Sequence, residues 1–423
     1  MNVTVVPCRS LSGETTAPPS KASTHRALIA GLLSNGITEL ANPLSCDDTN
    51  ATANAVSALG AQLNIETDRW TIHSTGKLSA PLYPIDCGES GVTLRFTIPL
   101  VSLTGEKVAL RASESLMHRP LEPLEEALEQ LHVKVLVRGC TILVEGGPPK
   151  GGSVKIRGDV SSQFVSGLLF AGCLMDNGLE LLLTTPAESR NYVLLTTEIM
   201  RQHGVRVQSN QDMTRLEIAP GQKYSPTRHR IHGDYSSAAF ILAAAAITHS
   251  KVLVHDLPPT QLEPDSAFLK ILSQMGAKIG FVDDRVTIEG RELKGIHVDI
   301  RDSPDLGPIL AVLGCYAEGE TLITGAARLR YKESDRLASI TSELAAIGAR
   351  ITETEDGLLV HGPSPLRAGE VQSHKDHRIA MALAVAALGA SGNVAIRDAE
   401  CVTKSYPTFF QDLGSVGVKT IEW

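Results

Sequence analysis

A pattern that recurs six times along the 423-residue chain constrains its fold more than any other feature. Each copy is an amphipathic segment that ends in a small or polar residue and is followed by an apolar strand start. The copies centre on Gly60, His132, Gly204, Gly276, Gly348 and Gly417, with four intervals of 72 residues and a last one of 69. Glycine directly after a helix is typical of a left-handed C-terminal cap. Each copy therefore predicts an amphipathic helix followed by a strand.

A second series of segments is interleaved with the first. Each member opens with small or polar residues and continues as an Ala- and Leu-rich helix that is apolar nearly all round, so it should be buried. The members begin at Pro19, Gly88, Gly158, Gly233, Ser303 and Lys375. Each repeat is thus expected to hold one buried helix, one amphipathic helix and short strands.

The chain length indicates about two domains, because single cores stop growing near ~250–300 residues. Six repeats predict an α/β fold of two lobes, each with three repeated α/β units, pseudo-threefold symmetry and buried helices (an inside-out α/β barrel). We place the first lobe at residues 20–231. The second lobe takes residues 1–19 and 232–423, because the strand-rich opening at residues 2–7 precedes the first repeat.

Composition excludes several classes of protein. A net charge of −8 argues against a general nucleic-acid binder. Seven cysteines without a C-x-x-C pair indicate neither a disulfide framework nor a zinc site, which favours the reducing cytoplasm. The N-terminus lacks an apolar signal segment. The longest apolar run, at residues 238–247, is too short for a membrane span, which needs roughly 20 residues.

Charged and polar residues cluster where the buried helices should begin. Helix starts carry unpaired N–H groups and a partial positive charge, so several of them facing one cleft would bind anions. The residues at these starts are Lys21, Arg26, Gly91, Arg95, Ser161, Ser162, Gln163, Asp305, Asp376, His377 and Arg378. Further basic residues lie in predicted loops, at Arg119, Lys332, Arg336 and Lys404.

Simpler structural interpretations stand beside the functional one. Ser161 and Ser162 suit plain helix caps, and Asp305 and Asp376 do as well. Lys332, Glu333 and Arg336 have the spacing of ion pairs on a solvated helix face. Nucleotide binding by a phosphate loop or a dinucleotide fingerprint is unsupported, because neither glycine pattern is present. Recurrence at equivalent places in six repeats favours function.

Nine short motifs, in order, resemble those of the EPSP synthase family of enolpyruvyl transferases. They are SKASTHRAL (20–28), CGESGVTLR (87–95), HRP (118–120), GDVSSQF (158–164), SRNY (189–192), SPD (303–305), YKESDRL (331–337), KDHRIAM (375–381) and CVTKSYP (401–407). The family fold has two lobes of three α/β units, in agreement with the repeat. The resemblance implies transfer of the enolpyruvyl group of phosphoenolpyruvate to shikimate 3-phosphate, with release of phosphate. It implies no metal and no organic cofactor, and we expect a monomer acting on these two small molecules.

The resemblance also implies roles for individual residues. Shikimate 3-phosphate would be bound by Lys21, Arg26, Ser161, Ser162, Gln163, Ser189, Tyr192, Asp305 and Lys332. Phosphoenolpyruvate would be bound by Lys21, Gly91, Arg119, Gln163, Arg336, Arg378 and Lys404. Asp305 and Glu333 would transfer protons, with Lys21 assisting. In sensitive members glyphosate occupies the phosphoenolpyruvate site, beside the position of Gly91.

Three positions depart from the family pattern. Ala22 stands where the family usually has Ser, Val92 where it has Thr, and Arg328 where an Asn precedes the K-E-[ST]-D-R motif. Two other functions stay open. One is the sister enolpyruvyl transferase that acts on a UDP-amino sugar, although RASESLMHRP lacks the Cys of its loop. The other is a non-catalytic six-repeat scaffold.

Overall fold

The computed structural model describes residues 1–259 and 263–423. The chain divides into two compact units, Pro19–Ile231 and Met1–Pro18 with His232–Trp423. Below, "first lobe" denotes Pro19–Ile231 and "second lobe" denotes the other unit. Each lobe has its own apolar core, built mostly of aliphatic side chains.

Helices alternate between buried and amphipathic along both lobes. The α-helices of the described residues are α1 (Lys21–Leu33), α2 (Asp47–Ala58), α3 (Gly91–Ser102), α4 (Glu114–Met117), α5 (Glu122–Glu129), α6 (Ser162–Gly172), α7 (Arg190–Gln202), α8 (Tyr235–Ile247), α9 (Ala267–Met275), α10 (Gly307–Tyr316), α11 (Arg336–Ala346), α12 (His377–Ala387) and α13 (Phe409–Ser415). Only α4, a single turn in the loop before Arg119, lies outside the two predicted helix series.

Strands are short, as expected where each repeat contributes one small sheet. They are β1 (Val3–Val5), β2 (Glu14–Thr16), β3 (Asn35–Ala41), β4 (Gln62–Ile65), β5 (Arg69–Thr75), β6 (Ile85–Asp86), β7 (Val108–Arg111), β8 (Val133–Arg138), β9 (Thr141–Gly146), β10 (Gly152–Ile156), β11 (Leu179–Leu183), β12 (Gln208–Ser209), β13 (Arg215–Ile218), β14 (Arg228–Arg230), β15 (Lys251–His255), β16 (Lys278–Val282), β17 (Arg285–Glu289), β18 (His297–Asp299), β19 (Gly319–Thr324), β20 (Arg350–Glu353), β21 (Leu358–Gly362), β22 (Gly369–Gln372), β23 (Val394–Arg397) and β24 (Thr420–Glu422).

The sheets repeat one topology three times in each lobe. The first lobe has the strand orders β14-β3-β5-β4, β6-β7-β9-β8 and β10-β11-β13-β12, and the second lobe has β2-β15-β17-β16, β18-β19-β21-β20 and β22-β23-β1-β24. In every sheet the first two strands are parallel and the other pairs are antiparallel. The predicted fold class, with three α/β repeats in each lobe, is confirmed.

Segments near the lobe boundaries complete sheets made mostly by distant parts of the chain. Strand β14 pairs with β3, with Arg228 opposite Glu39, and so closes a sheet of the first lobe. Strand β2 pairs with β15 in the second lobe. Strand β1 lies between β23 and β24, where Thr4 faces Ala395 on one side and Ile421 on the other. The opening strand is therefore part of a sheet of the second lobe.

The six recurring cap positions all have left-handed backbone conformation. Their φ angles run from 62° at His132 to 113° at Gly276. Each follows an amphipathic helix (α2, α5, α7, α9, α11 or α13) and precedes a strand. Left-handed residues end helices by letting the chain reverse toward the next strand, and glycine adopts this conformation without a steric penalty. The repeat thus reflects one backbone requirement met six times.

The buried helices are α1, α3 and α6 in the first lobe and α8, α10 and α12 in the second. All thirteen residues of α8 are buried. Their N-termini, and short 3-10 turns at Pro304–Leu306, Ala327–Tyr331 and Ala399–Lys404, position the charged residues described next. No helix in the described part of the chain combines the length and apolar character needed to cross a membrane.

Candidate active site

Lys21 begins α1 in the first lobe. Ser20 caps this helix, because its hydroxyl accepts a hydrogen bond from the Ser23 N–H. The Lys21 ammonium lies 2.9 Å from Asp48 Oδ2, in the first turn of α2. The Asp48 side chain is buried and that of Lys21 is only partly exposed. This ion pair fixes the cation at a helix start, where an anion is also favoured by the helix dipole.

Arg26 lies one turn further along α1 and is buried. Its Nε donates to Thr196 Oγ1 at 2.8 Å, and its two terminal nitrogens donate to the Ala22 and Tyr192 carbonyls at 3.0 and 3.1 Å. The guanidinium carbon also lies 5.7 Å from the centre of the Tyr192 ring. Arg26 is therefore held rigidly between α1 and α7, which suits a bidentate grip on a carboxylate.

Gly91 begins α3, and three polar side chains surround it. A Cβ atom added to Gly91 would lie 3.5 Å from Arg119 Nη1, Arg95 Nη1 and Gln163 Oε1. Arg95 Nη1 donates to Gln163 Oε1 at 2.8 Å, which ties the start of α3 to the start of α6. Arg95 also stacks on the buried Phe164, 5.1 Å from the ring centre. Two arginines and an amide thus converge where the helix lacks a side chain.

Serines mark two further helix starts in the first lobe. Ser161 caps α6, since its hydroxyl accepts from the Gln163 N–H at 3.2 Å, and Ser162 is the first residue of that helix. Ser189 precedes α7 with φ 52° and makes no side-chain cap bond. A non-glycine residue in this left-handed conformation is uncommon. The Ser189 side chain is buried, so the strained turn orients a hydroxyl that does not serve the helix.

Asp305 is the centre of a cation cluster in the second lobe. Its Oδ1 lies 2.8 Å from Arg336 Nη1 and 3.4 Å from Lys332 Nζ, and its Oδ2 lies 3.2 Å from Arg378 Nη2. Burial opposes ionisation of Asp305, but the three cations outweigh it and hold its pKa well below the usual range. Asp305 is therefore an ionised carboxylate that can accept a proton.

Arg336 connects Asp305 with two other carboxylates. Its side chain is 1% exposed, and its Nη2 lies 2.7 Å from Glu333 Oε2. Its Nε lies 2.7 Å from Asp376 Oδ2. Burial would lower the pKa of Arg336, yet the surrounding carboxylates, Asp376 first, raise it. The simpler interpretation, which placed Arg336 on a solvated helix face, is wrong, because α11 begins at Arg336 and this side chain is buried.

Lys404 and Lys332 complete the cluster. Lys404 Nζ lies 3.6 Å from Glu333 Oε1, so Glu333 has a cation on each oxygen. Burial lowers the pKa of Lys332, and the Asp305 carboxylate acts in the opposite direction. A lysine with a lowered pKa is easier to deprotonate than an exposed one. Asp305, Lys332, Glu333, Arg336, Arg378 and Lys404, which were predicted from separate motifs, therefore form one network.

Asp376 caps α12 as predicted, since it accepts from the Arg378 N–H at 2.9 Å. It also binds Arg336, so the cap and the network share one carboxylate. Sequence reasoning missed Asp48, which pairs with Lys21, and Asp265, which accepts a hydrogen bond from Ser236. Neither stands in a motif, and both partners are remote in sequence.

Over residues 1–259 and 263–423, no three His, Cys, Asp or Glu side chains are grouped so that they could hold a metal ion. The seven cysteines are all free thiols. The acidic residues of the site instead contact lysine and arginine side chains.

Solved structures with this fold include enolpyruvyl transferases. The enolpyruvyl transferase NikO from Streptomyces tendae covers 99% of this chain with a TM-score of 0.83. At 18% identity, that likeness shows the fold alone. EPSP synthase from Acinetobacter baumannii covers all of both chains with a TM-score of 0.84 and 28% identity.

Sequence comparison is more specific. The family profile described as EPSP synthase (3-phosphoshikimate 1-carboxyvinyltransferase) matches residues 5–413. A 3-phosphoshikimate 1-carboxyvinyltransferase from Methanocorpusculum labreanum is 41% identical over 98% of both chains. One from Clostridium perfringens is 37% identical, again over 98% of both chains. The chain belongs to the EPSP synthase family.

Proposed function

We propose that the polar helix starts of the two lobes bind shikimate 3-phosphate and phosphoenolpyruvate for the family reaction. The enolpyruvyl group moves from phosphoenolpyruvate to the 5-hydroxyl of shikimate 3-phosphate. Phosphate leaves, and 5-enolpyruvylshikimate 3-phosphate forms, a step of the shikimate route to chorismate and the aromatic amino acids. Both substrates are polyanions, which accounts for the number of buried cations.

For shikimate 3-phosphate, we assign the carboxylate to Arg26 and the phosphate to hydroxyl and ammonium groups. In the first lobe, the rigid guanidinium of Arg26 and the nearby Tyr192 ring support the first assignment. Ser161, Ser162 and Ser189 are assigned to the phosphate through their hydroxyls and the start of α6. Lys21 and Gln163 are assigned to the same substrate. In the second lobe, Lys332 and Asp305 are assigned to this same substrate.

For phosphoenolpyruvate, we assign Lys21, Gly91, Arg119 and Gln163 of the first lobe. The backbone at Gly91 is open to close approach, because no side chain separates it from Arg119 and Gln163. In the second lobe we assign Arg336, Arg378 and Lys404. Each of these three cations pairs with a carboxylate of the second lobe, and a bound phosphate or carboxylate would compete for it.

Proton transfer falls to Asp305 and Glu333, with Lys21 assisting. The addition step needs a proton delivered to the vinyl CH₂ and one removed from the 5-hydroxyl, and elimination then removes a methyl proton as phosphate leaves. Asp305 is ionised, so it can accept a proton as a base. When an anion takes part of the charge of Arg378, the pKa of Asp305 rises, which makes the carboxylate a stronger base. The lysines and arginines stabilise the departing phosphate.

The observation that carries the proposal is the Asp305 carboxylate with three cations within 3.4 Å, in a network that also holds Glu333. The test is phosphate release when purified protein is mixed with both substrates, with the organic product identified by mass spectrometry. Release that requires both substrates and gives the enolpyruvyl ether supports the proposal. No release at substrate concentrations in the millimolar range contradicts it.

The same assay separates the alternatives. Phosphate release with UDP-N-acetylglucosamine in place of shikimate 3-phosphate would indicate the sister transferase. Absence of release with either acceptor would leave the scaffold interpretation. The buried charges of the second lobe favour an enzyme, because a scaffold gains nothing from desolvating several ions together.

We further propose a cytoplasmic monomer that needs no metal and binds no nucleic acid. Seven free thiols suit a reducing compartment. The net charge of −8 disfavours binding to nucleic acid, which is itself negatively charged. Sedimentation at working concentration tests the monomer, and activity after treatment with a chelator tests the metal requirement.

A further inference from the structure

The second lobe contains a buried carboxylate, Asp265, that is linked to the Asp305 cluster and is not assigned to either substrate or to proton transfer. Asp265 belongs to the 3-10 turn Pro264–Ser266, directly before α9, and its side chain is 1% exposed. It accepts a hydrogen bond from the hydroxyl of Ser236, in the first turn of α8. Burial of an ionisable carboxylate costs free energy, so packing alone does not explain why Asp265 occupies this position.

The Ser236 residue connects Asp265 to the cluster. While the hydroxyl of Ser236 donates to Asp265, its backbone carbonyl accepts from Arg378 Nη1 at 3.4 Å. The other terminal nitrogen of Arg378 lies 3.2 Å from Asp305 Oδ2. The orientation of the Arg378 guanidinium therefore depends on where the first turn of α8 is held.

A further hydrogen bond links the Asp265 turn to the loop that carries Asp305. The Ser303 hydroxyl donates to the Pro264 carbonyl at 3.3 Å, which ties this turn to the loop that carries Asp305. Burial raises the pKa of Asp265 to about 6, the negative charge of Asp305 adds to the shift, and Arg378 opposes it. The charges of both cluster residues thus reach Asp265.

We propose that Asp265 is a positioning residue for the transferase reaction, which acts through Ser236 to fix the Arg378 guanidinium beside Asp305. The inference rests on the proposed function, since Arg378 is assigned there to phosphoenolpyruvate. A guanidinium held at one end by a fixed carbonyl presents its other end to the ligand without losing rotamer freedom on binding. Loss of Asp265 would free the first turn of α8 to move. It would therefore weaken the binding of phosphoenolpyruvate more than the binding of shikimate 3-phosphate.

The test compares steady-state kinetics of the wild type with those of Asp265→Ala, Asp265→Asn and Ser236→Ala. Asp265→Ala and Ser236→Ala each cut the link, so we expect KM for phosphoenolpyruvate to rise about tenfold, the scale of one buried hydrogen bond. KM for shikimate 3-phosphate should change less than about threefold on the same scale. The asparagine side chain can still accept a hydrogen bond from the Ser236 hydroxyl. The KM of Asp265→Asn for phosphoenolpyruvate should therefore stay close to that of the wild type.

Ser250→Ala is the matched control. Ser250 follows the other end of α8 and is buried, and its hydroxyl accepts from the Leu11 N–H at 2.7 Å. Its loss should lower thermal stability but leave both KM values unchanged. If Asp265→Ala fails to fold, Ser236→Ala decides the question.

Several outcomes would overturn the inference. These are an unchanged KM for phosphoenolpyruvate in Asp265→Ala or Ser236→Ala, equal rises in both KM values, or an asparagine variant as impaired as the alanine variant. An inactive wild type, by contrast, overturns the proposed function itself.

Discussion

Arg336 and Asp376 form an ion pair that is almost completely removed from solvent, with 2.7 Å between Nε and Oδ2 and side-chain exposures of 1% and 0%. Asp376 also caps α12, and Arg336 begins α11, so the pair joins the starts of two helices. Glu333 and Asp305 share the same guanidinium. Arg336 therefore has a structural role in addition to its assignment to phosphoenolpyruvate.

Asp376→Ala should destabilise the protein by about 3–5 kcal/mol, because it leaves the buried charge of Arg336 without its main partner and removes a helix cap. Unfolding by urea, followed by circular dichroism, measures the change. The control is Glu370→Ala, which breaks an exposed pair with Arg397 in the same lobe and should leave stability nearly unchanged. Equal, small effects of both substitutions would show that the buried pair is not important for stability.

Asp305→Ala, Glu333→Ala and Lys21→Ala should each reduce kcat by about 10²–10⁴-fold, the usual contribution of a positioned acid or base. Each should remain folded, because the groups lie at helix starts or in loops and not within the apolar cores, although Asp305→Ala should lower the melting temperature by removing the carboxylate that Arg336, Lys332 and Arg378 share. Phosphate release and a thermal melt measure the two properties. Asp299→Ala, at an exposed carboxylate on β18, is the control. Normal turnover in all three site variants would contradict the catalytic assignment.

The repeat was predictable because it depends on local rules. A left-handed cap, an apolar strand start and an all-apolar helix leave a mark in consecutive residues, and the same marks recur near every 72 residues. His132 is the exception in residue type, because it adopts φ 62° at the position where the other five repeats have glycine. Both helix series and the fold class could therefore be predicted from local sequence patterns.

The partners of the charged residues were not predictable in the same way. Lys21 and Asp48 are 27 residues apart, and Ser236 and Asp265 are 29 apart, so each pair exists only once two helices have packed. The segment around Asp265 has the Pro and Asp typical of any helix start, which hides a buried carboxylate. A motif identifies a charge, but the fold decides which opposite charge it meets.

Stability should fall as the pH falls from about 6.5, because three histidines are buried in neutral form in the first lobe. Burial lowers the pKa of His203 to about 3, that of His229 to about 4 and that of His25 to about 3. The unfolded chain binds protons on these groups near pH 6.5, whereas the folded chain does not. Their contribution is therefore complete above pH 6.5 and is lost progressively toward pH 3–4.

The pair His203 and His229 offers a direct check, since their Nε2 atoms lie 2.8 Å apart. His229→Gln should reduce the slope of unfolding free energy against pH by about 1.4 kcal/mol per pH unit between pH 6 and 4.5. Urea unfolding at a series of pH values measures this slope. The exposed His73→Gln on β5 is the control. An unaltered slope in His229→Gln would contradict the assignment of the acid sensitivity to this pair.

Glyphosate should inhibit the protein in competition with phosphoenolpyruvate. Gly91→Ala should weaken the binding of glyphosate more than the binding of phosphoenolpyruvate. The added methyl group would lie 3.5 Å from polar atoms of Arg119, Arg95 and Gln163. In that position it would collide with the longer ligand first. At that distance the methyl group makes ordinary contacts, and Gly91 is a helical residue, so Ala should not harm the fold. Inhibition constants, KM for phosphoenolpyruvate and a thermal melt of both proteins decide the matter. If the native enzyme ignores glyphosate far above its KM for phosphoenolpyruvate, Val92, which replaces the usual Thr beside Gly91, has reshaped the site and the prediction is wrong.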